Sequence, residues 1–196
     1  MLLIKNGRVL DPASKTDAAL DVLLDDAGRI ARVGAKLSAK GAEIFEAKGL
    51  CVAPGFIDLH CHLREPGCEL SETIESGLRA AARGGFTALC PMANTKPVND
   101  NASITRAILN RAREIGGVRV WPIGAASREQ KGEALAEIAG MKEAGIVAVS
   151  DDGHPIATAK LLRQVMEYCG SLGLTVVDHC EDPSLFAGNV MREGRR

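Results

Sequence analysis

The 196-residue sequence is poor in aromatic side chains: they make up 3% of it, with one Trp, one Tyr and four Phe. A base-stacking surface for single-stranded nucleic acid needs more than that. Excess charge of either sign is also missing, since 24 Lys and Arg face 25 Asp and Glu. That balance gives no electrostatic reason to expect nucleic acid or an anionic membrane as a partner. No apolar run reaches the roughly 18 residues of a membrane span. The start, MLLIKNGRVLDPASK, has no basic leader, long apolar stretch or cleavage site, so no signal peptide is expected and a cytoplasmic protein is. The six cysteines, Cys51, Cys61, Cys68, Cys90, Cys169 and Cys180, contain no CxxC pair, which argues against a zinc ribbon or a thioredoxin motif. They read as reduced, mostly buried thiols. Neither GxGxxG nor GxxxxGK[ST] follows any apolar run, so dinucleotide and P-loop sites lack their phosphate cradle.

What is present changes character near residue 53. Residues 1–52 read as short strands and turns. Asn6-Gly7 is expected to turn the chain between Leu2-Leu3-Ile4 and Arg8-Val9-Leu10. A second hairpin-like unit centres on Asp26-Ala27-Gly28, and together they suggest a small β-sandwich or β-layer. In residues 53–196 apolar runs alternate with segments of helical period. Strands are expected at 55–59, 86–90, 118–123, 146–150 and 174–178, and helices at 71–83, 103–115, 133–144 and 157–172. Ser71 to Glu75 supply capping residues and early acids for the first helix. Such alternation demands a parallel sheet with right-handed crossovers. Five β/α units fit an open doubly wound sheet or part of a barrel; the polar residues just past the strand ends lie where a barrel gathers its active site.

The sharpest chemical signal is Asp58-Leu59-His60-Cys61-His62-Leu63-Arg64, at the end of the first of these strands. Residues two apart on a strand point the same way, so His60 and His62 can converge on one ion while Cys61 points elsewhere. Imidazole suits Zn²⁺ and related metals. The other two histidines also follow strands, His154 after Ser150-Asp151-Asp152-Gly153 and His179 after Val177-Asp178. Asp-Asp-Gly by itself is an ordinary turn and helix cap. Beside the paired histidines and His179, it reads instead as a carboxylate at a metal site, one suited to two metals sharing a bridging group.

These residues resemble dihydroorotase, within the amidohydrolase superfamily. The resemblance runs through Asp58 to Gly67, Pro91-Met92-Ala93-Asn94-Thr95-Lys96-Pro97, Ser150 to Gly153 and His179-Cys180-Glu181-Asp182. It implies an α/β fold, a partial TIM-type (β/α) barrel of about five of eight units after a small β-sandwich segment. It implies that His60 and His62 bind the more buried metal, that Asp152 bridges where many relatives use a carboxylated lysine, and that His179 binds a second metal. One or two Zn²⁺ ions are the implied cofactor. Arg64 and Asn94 are implied to hold the substrate carboxylate, and a guanidinium fork suits that task. The implied reaction is the reversible cyclisation of N-carbamoyl-L-aspartate to dihydroorotate in pyrimidine synthesis, by metal-activated hydroxide chemistry. Two alternatives stay open: a non-catalytic homologue that partners aspartate transcarbamoylase, or a related cyclic-amide hydrolase such as a hydantoinase or allantoinase. A homo-oligomer is also compatible. The family has a further histidine ligand after its sixth strand and a proton-shuttling aspartate after its eighth; neither has a candidate here. The expectation is therefore the first part of a longer enzyme, inactive by itself.

Overall fold

The computed structural model describes residues 1–156 and 158–182. The chain divides into two units, the first covering Met1–Gly55 and the second beginning at Phe56. In the first unit, β1 (Leu2–Asp11) pairs antiparallel with β2 (Thr16–Leu24) and parallel with both β4 (Glu43–Glu46) and β5 (Cys51–Val52). Strand β3 (Ile30–Gly34) extends the sheet antiparallel to β2. Leu3, Leu23 and Leu37 form its buried centre.

Asn6-Gly7 does not turn the chain, contrary to the sequence expectation. Strand β1 runs straight through it, and the register against β2 slips between Ile4 and Gly7. The residue types that favour a turn serve a bulge here: Asn6 takes φ +59°, and its N–H donates to Asp21 Oδ1 at 2.8 Å. A side chain at Gly7 has no room, since a Cβ there would lie 2.5 Å from Val52 Cγ2.

The second unit is the expected parallel arrangement. Strands β6 (Phe56–Cys61), β7 (Phe86–Pro91) and β8 (Arg119–Val120) form one parallel sheet. Strands β9 (Ile123–Gly124), β10 (Ala148–Val149) and β11 (Thr175–Val176) form another. Helices α1 (Ile74–Arg83), α2 (Ala102–Ile115), α3 (Ile138–Ala144) and α4 (Ala159–Leu172) connect them. The strand expected at 118–123 is therefore two short strands. The break falls at Trp121-Pro122: Trp121 N–H donates to Leu89 O in β7, Pro122 has no N–H to give, and its carbonyl accepts from Val147.

Helix α1 starts at Ile74 rather than Ser71, because Thr73 takes the extended backbone of an N-cap (φ −113°, ψ 160°) and so interrupts any helix begun earlier. Thr73 and Ser76 complete a reciprocal capping box. The helix expected over 133–144 is shortened to α3. Its missing first part has other partners: Ala136 N–H donates to Ala126 O and Glu137 N–H to Asp100 O. The Ala157 start expected for α4 lies outside the described residues; the helix is capped by Thr158, whose Oγ1 accepts from Leu161 N–H.

Helical spacing explains the core. Ile74, Leu78 and Ala81 of α1 share one face and pack with Leu89, Ile108 and Val120. Ile138, Met141, Val149, Val165 and Cys169 close the other cluster at 0% exposure. Each large side chain buried this way contributes roughly 1.5–3 kcal/mol relative to exposure. No helix among the described residues is long and apolar enough to cross a membrane.

Candidate metal centre

Strand β6 ends in Cys61, and its register against β7 shifts between Asp58 and Cys61, the stretch that carries His60. Cys61 packs against the apolar cluster of Leu63, Ile74 and Leu78. Burial, with the Asp58 carboxylate second, pushes its thiol up to about 12. His60 and His62 face the other way, their ring centroids 5.3 Å apart in an edge arrangement. Asp152, three residues beyond β10, meets both: Oδ1 is 3.4 Å from His60 Nε2 and Oδ2 is 3.7 Å from His62 Nε2. One ligand atom from each residue lies within 4.8 Å of the others. Two ligands of a tetrahedral ion, each about 2.0–2.2 Å from it, are about 3.3–3.6 Å apart. The two imidazole nitrogens and the carboxylate fit a divalent cation in donor type, and their separations are close to that spacing.

Each ligand is supported from behind. His62 Nδ1 lies 3.0 Å from Asn94 Oδ1. The backbone N–H of His60 donates to Asp58 Oδ1 at 3.0 Å. Asp151, 2% exposed, accepts from the N–H groups of Ala126 and Ser127 and from Ser127 Oγ. It thereby fixes the backbone that carries Asp152. The loops after β6 and β7 are latched together: Met92 N–H donates to Cys61 O and Lys96 N–H to Pro66 O, both at 2.9 Å. Gly67, at φ +96°, sits so close to this second contact that a Cβ would be 2.0 Å from Lys96 O. Glu65 adds a third tie, accepting the Ile74 N–H at the start of α1 while Arg111 of α2 stands 3.5 Å away.

Of the residues singled out in the sequence, His60, His62 and Asp152 come together, with Asn94 behind them. His179 does not join the group; its Nε2 is 3.5 Å from Glu181 Oε2. Arg64 is half-buried two residues after His62, with φ +60°, an uncommon conformation for a residue with a side chain. His154 is exposed, its backbone N–H bound to Asp151 O. Three supporting roles were not read from sequence: Asp58 beneath His60, Asp151 as a buried anchor, and Asn94 as the partner of His62. Asp151 had a signal in the acidic pair, and Asn94 had one only as a substrate contact.

The family model described as Dihydro-orotase-like matches residues 49–195. A dihydroorotase from Solibacter usitatus is 55% identical over 193 residues, covering 98% of this chain and 45% of that protein. One from Syntrophotalea carbinolica is 51% identical over the same coverage. The chain thus spans about 45% of the length of the curated relatives it matches. Among solved structures, an L-hydantoinase (dihydropyrimidinase) from Arthrobacter aurescens superimposes with a TM-score of 0.76 at 23% identity, covering 94% of this chain and 41% of that one. The fold is therefore part of an amidohydrolase (β/α) barrel, and the chain belongs to the dihydroorotase-like family.

Proposed function

We propose that this chain carries the first part of a zinc-dependent dihydroorotase active site, which interconverts N-carbamoyl-L-aspartate and dihydroorotate in pyrimidine synthesis in the cytoplasm. The observation that carries the reading is the convergence of His60, His62 and Asp152, in a chain about half identical to dihydroorotases. His60 and His62 offer Nε2, and Asp152 offers one carboxylate oxygen to each side of the site. His179 is proposed as a further ligand when a second ion is present. A divalent cation bound here would supply Lewis acidity and make water a stronger acid. Arg64 presents a planar fork to the substrate carboxylate, and Asn94 keeps its Nδ2 amide for the same group. That pair, with Asp152 in place of a lysine, favours dihydroorotate over a hydantoin as substrate. Turnover also needs a group that protonates the leaving ring nitrogen, a contribution of about 10²–10⁴ in rate, and no described residue is assigned that task here.

Metal analysis of the purified chain tests this. About one zinc per chain is expected, as suits a site of three protein ligands. The His60→Ala/His62→Ala double variant is expected to lose it, and dihydroorotate turnover by the wild-type chain to stay at background. Equal zinc in wild type and double variant would overturn the assignment.

A further inference from the structure

An imidazole can ligate a cation through Nε2 only if its proton sits on Nδ1. At His62 the two nitrogens have different neighbours. Nδ1 is 3.0 Å from Asn94 Oδ1, a normal hydrogen-bond distance. Nε2 is 3.7 Å from Asp152 Oδ2, too far for one. Among the described residues, the acceptor at hydrogen-bond distance is therefore on the Nδ1 side.

Asn94 is itself held in place. It lies between Ala93, fully buried, and Thr95, 6% exposed. Ala93 O accepts from both Thr95 and Asn99 N–H, at 2.8 and 3.0 Å. Thr95 Oγ1 donates to Pro97 O at 2.7 Å, and Lys96 N–H donates to Pro66 O in the loop that carries His62. These bonds fix the backbone on which the Asn94 side chain stands. His60 has no counterpart: among the described residues no side chain bonds its Nδ1, and half of its side chain is exposed.

We propose that Asn94 is a positioning residue that fixes His62 as the Nδ1–H tautomer, making His62 the pre-oriented ligand of the pair. This rests on the metal reading above for its purpose, not for its geometry. Only Oδ1 of the amide is used, so Nδ2 stays available to a substrate carboxylate. Partners of this kind, which orient a ligating histidine, typically govern metal affinity by 10–100-fold.

Histidine ¹⁵N NMR of the metal-free wild-type chain, recorded over a pH series, reads the tautomer directly at the alkaline end. The His62 signal is identified by its loss in His62→Gln. The expected result is Nδ1–H at His62. Zinc affinity, measured by competition with a chromophoric chelator, is expected to fall roughly 10–100-fold in Asn94→Ala. Asn94→Asp, which keeps the acceptor, is expected to recover most of it. An Nε2–H tautomer in the wild type, or unchanged zinc affinity in folded Asn94→Ala, would overturn the proposal. The tautomer is read without metal and without a destabilising variant. A chain that bound no zinc but kept Nδ1–H at His62 would sink the metal assignment and leave the role of Asn94 standing.

Discussion

Asp151 and Asp152 are neighbours with opposite tasks. Asp152 faces His60 and His62, whereas Asp151 is buried and accepts three hydrogen bonds from Ala126 and Ser127. Replacing Asp151 by Ala would leave buried donors without an acceptor, a loss on the order of 3 kcal/mol. Urea denaturation of Asp151→Ala should show it, and Asp151→Asn, which keeps one acceptor oxygen, should lose less. Equal stability of Asp151→Ala and wild type would mean that the 126–127 backbone finds other partners. The sequence displayed both acids but not their division of labour. Strand β10 ends at Val149, so no strand alternation extends to residues 151 and 152 to sort them. The HxH pair was legible because β6 runs up to Cys61 and residues two apart on a strand point the same way. His179 could not be placed by the same logic, because β11 ends at Val176, three residues before it.

Elements with a strong hydrophobic period were legible, and those whose backbone donors are claimed from outside were not. Strand β7 and helices α2 and α4 lie within a residue or two of expectation. Helix α3 was overestimated because the N–H groups just before it bond to Ala126 and Asp100. The Asn6 bulge was missed for a similar reason, since its stabilising acceptor, Asp21, lies in the next strand. Asp21 is 3% exposed and also accepts the Leu37 N–H at 2.8 Å, with Lys5 Nζ 3.7 Å away. The Asn6 hydrogen bond above all, then Leu37 and Lys5, outweigh burial and hold its carboxyl below the usual range. A depressed folded-state pKa gives stability that is complete above the unfolded value, about 3.9, and lost as pH falls through the folded one. Asp21→Asn should therefore cost about 1–3 kcal/mol near neutrality. Its stability should also change less than that of wild type below about pH 4. Thermal melts across that range check both; parallel curves for the two proteins would remove Asp21 from the acid response.

At the scale of the whole molecule, β6 has the composition of a strand buried on both faces but is not so buried. Phe56, Ile57 and Leu59 are 60%, 47% and 71% exposed, and successive residues point to opposite faces. Among the described residues β6 pairs only with β7, which leaves its other edge with open backbone groups. An edge that is both apolar and unpaired is a template for association. The sequence made the barrel strand legible through its apolar run, yet that run says nothing of what lies against it. The chain should accordingly self-associate as its concentration rises, and a charge on this strand should oppose that. Leu59→Lys places the charge at its most exposed apolar position. Its folding stability should change by no more than about 0.5 kcal/mol, as for other surface substitutions. Sedimentation velocity and light scattering over a concentration series should show less association in Leu59→Lys than in wild type. Identical association in a folded variant would place the contact elsewhere, on the exposed Ile44 and Phe45 of β4 as the next candidate.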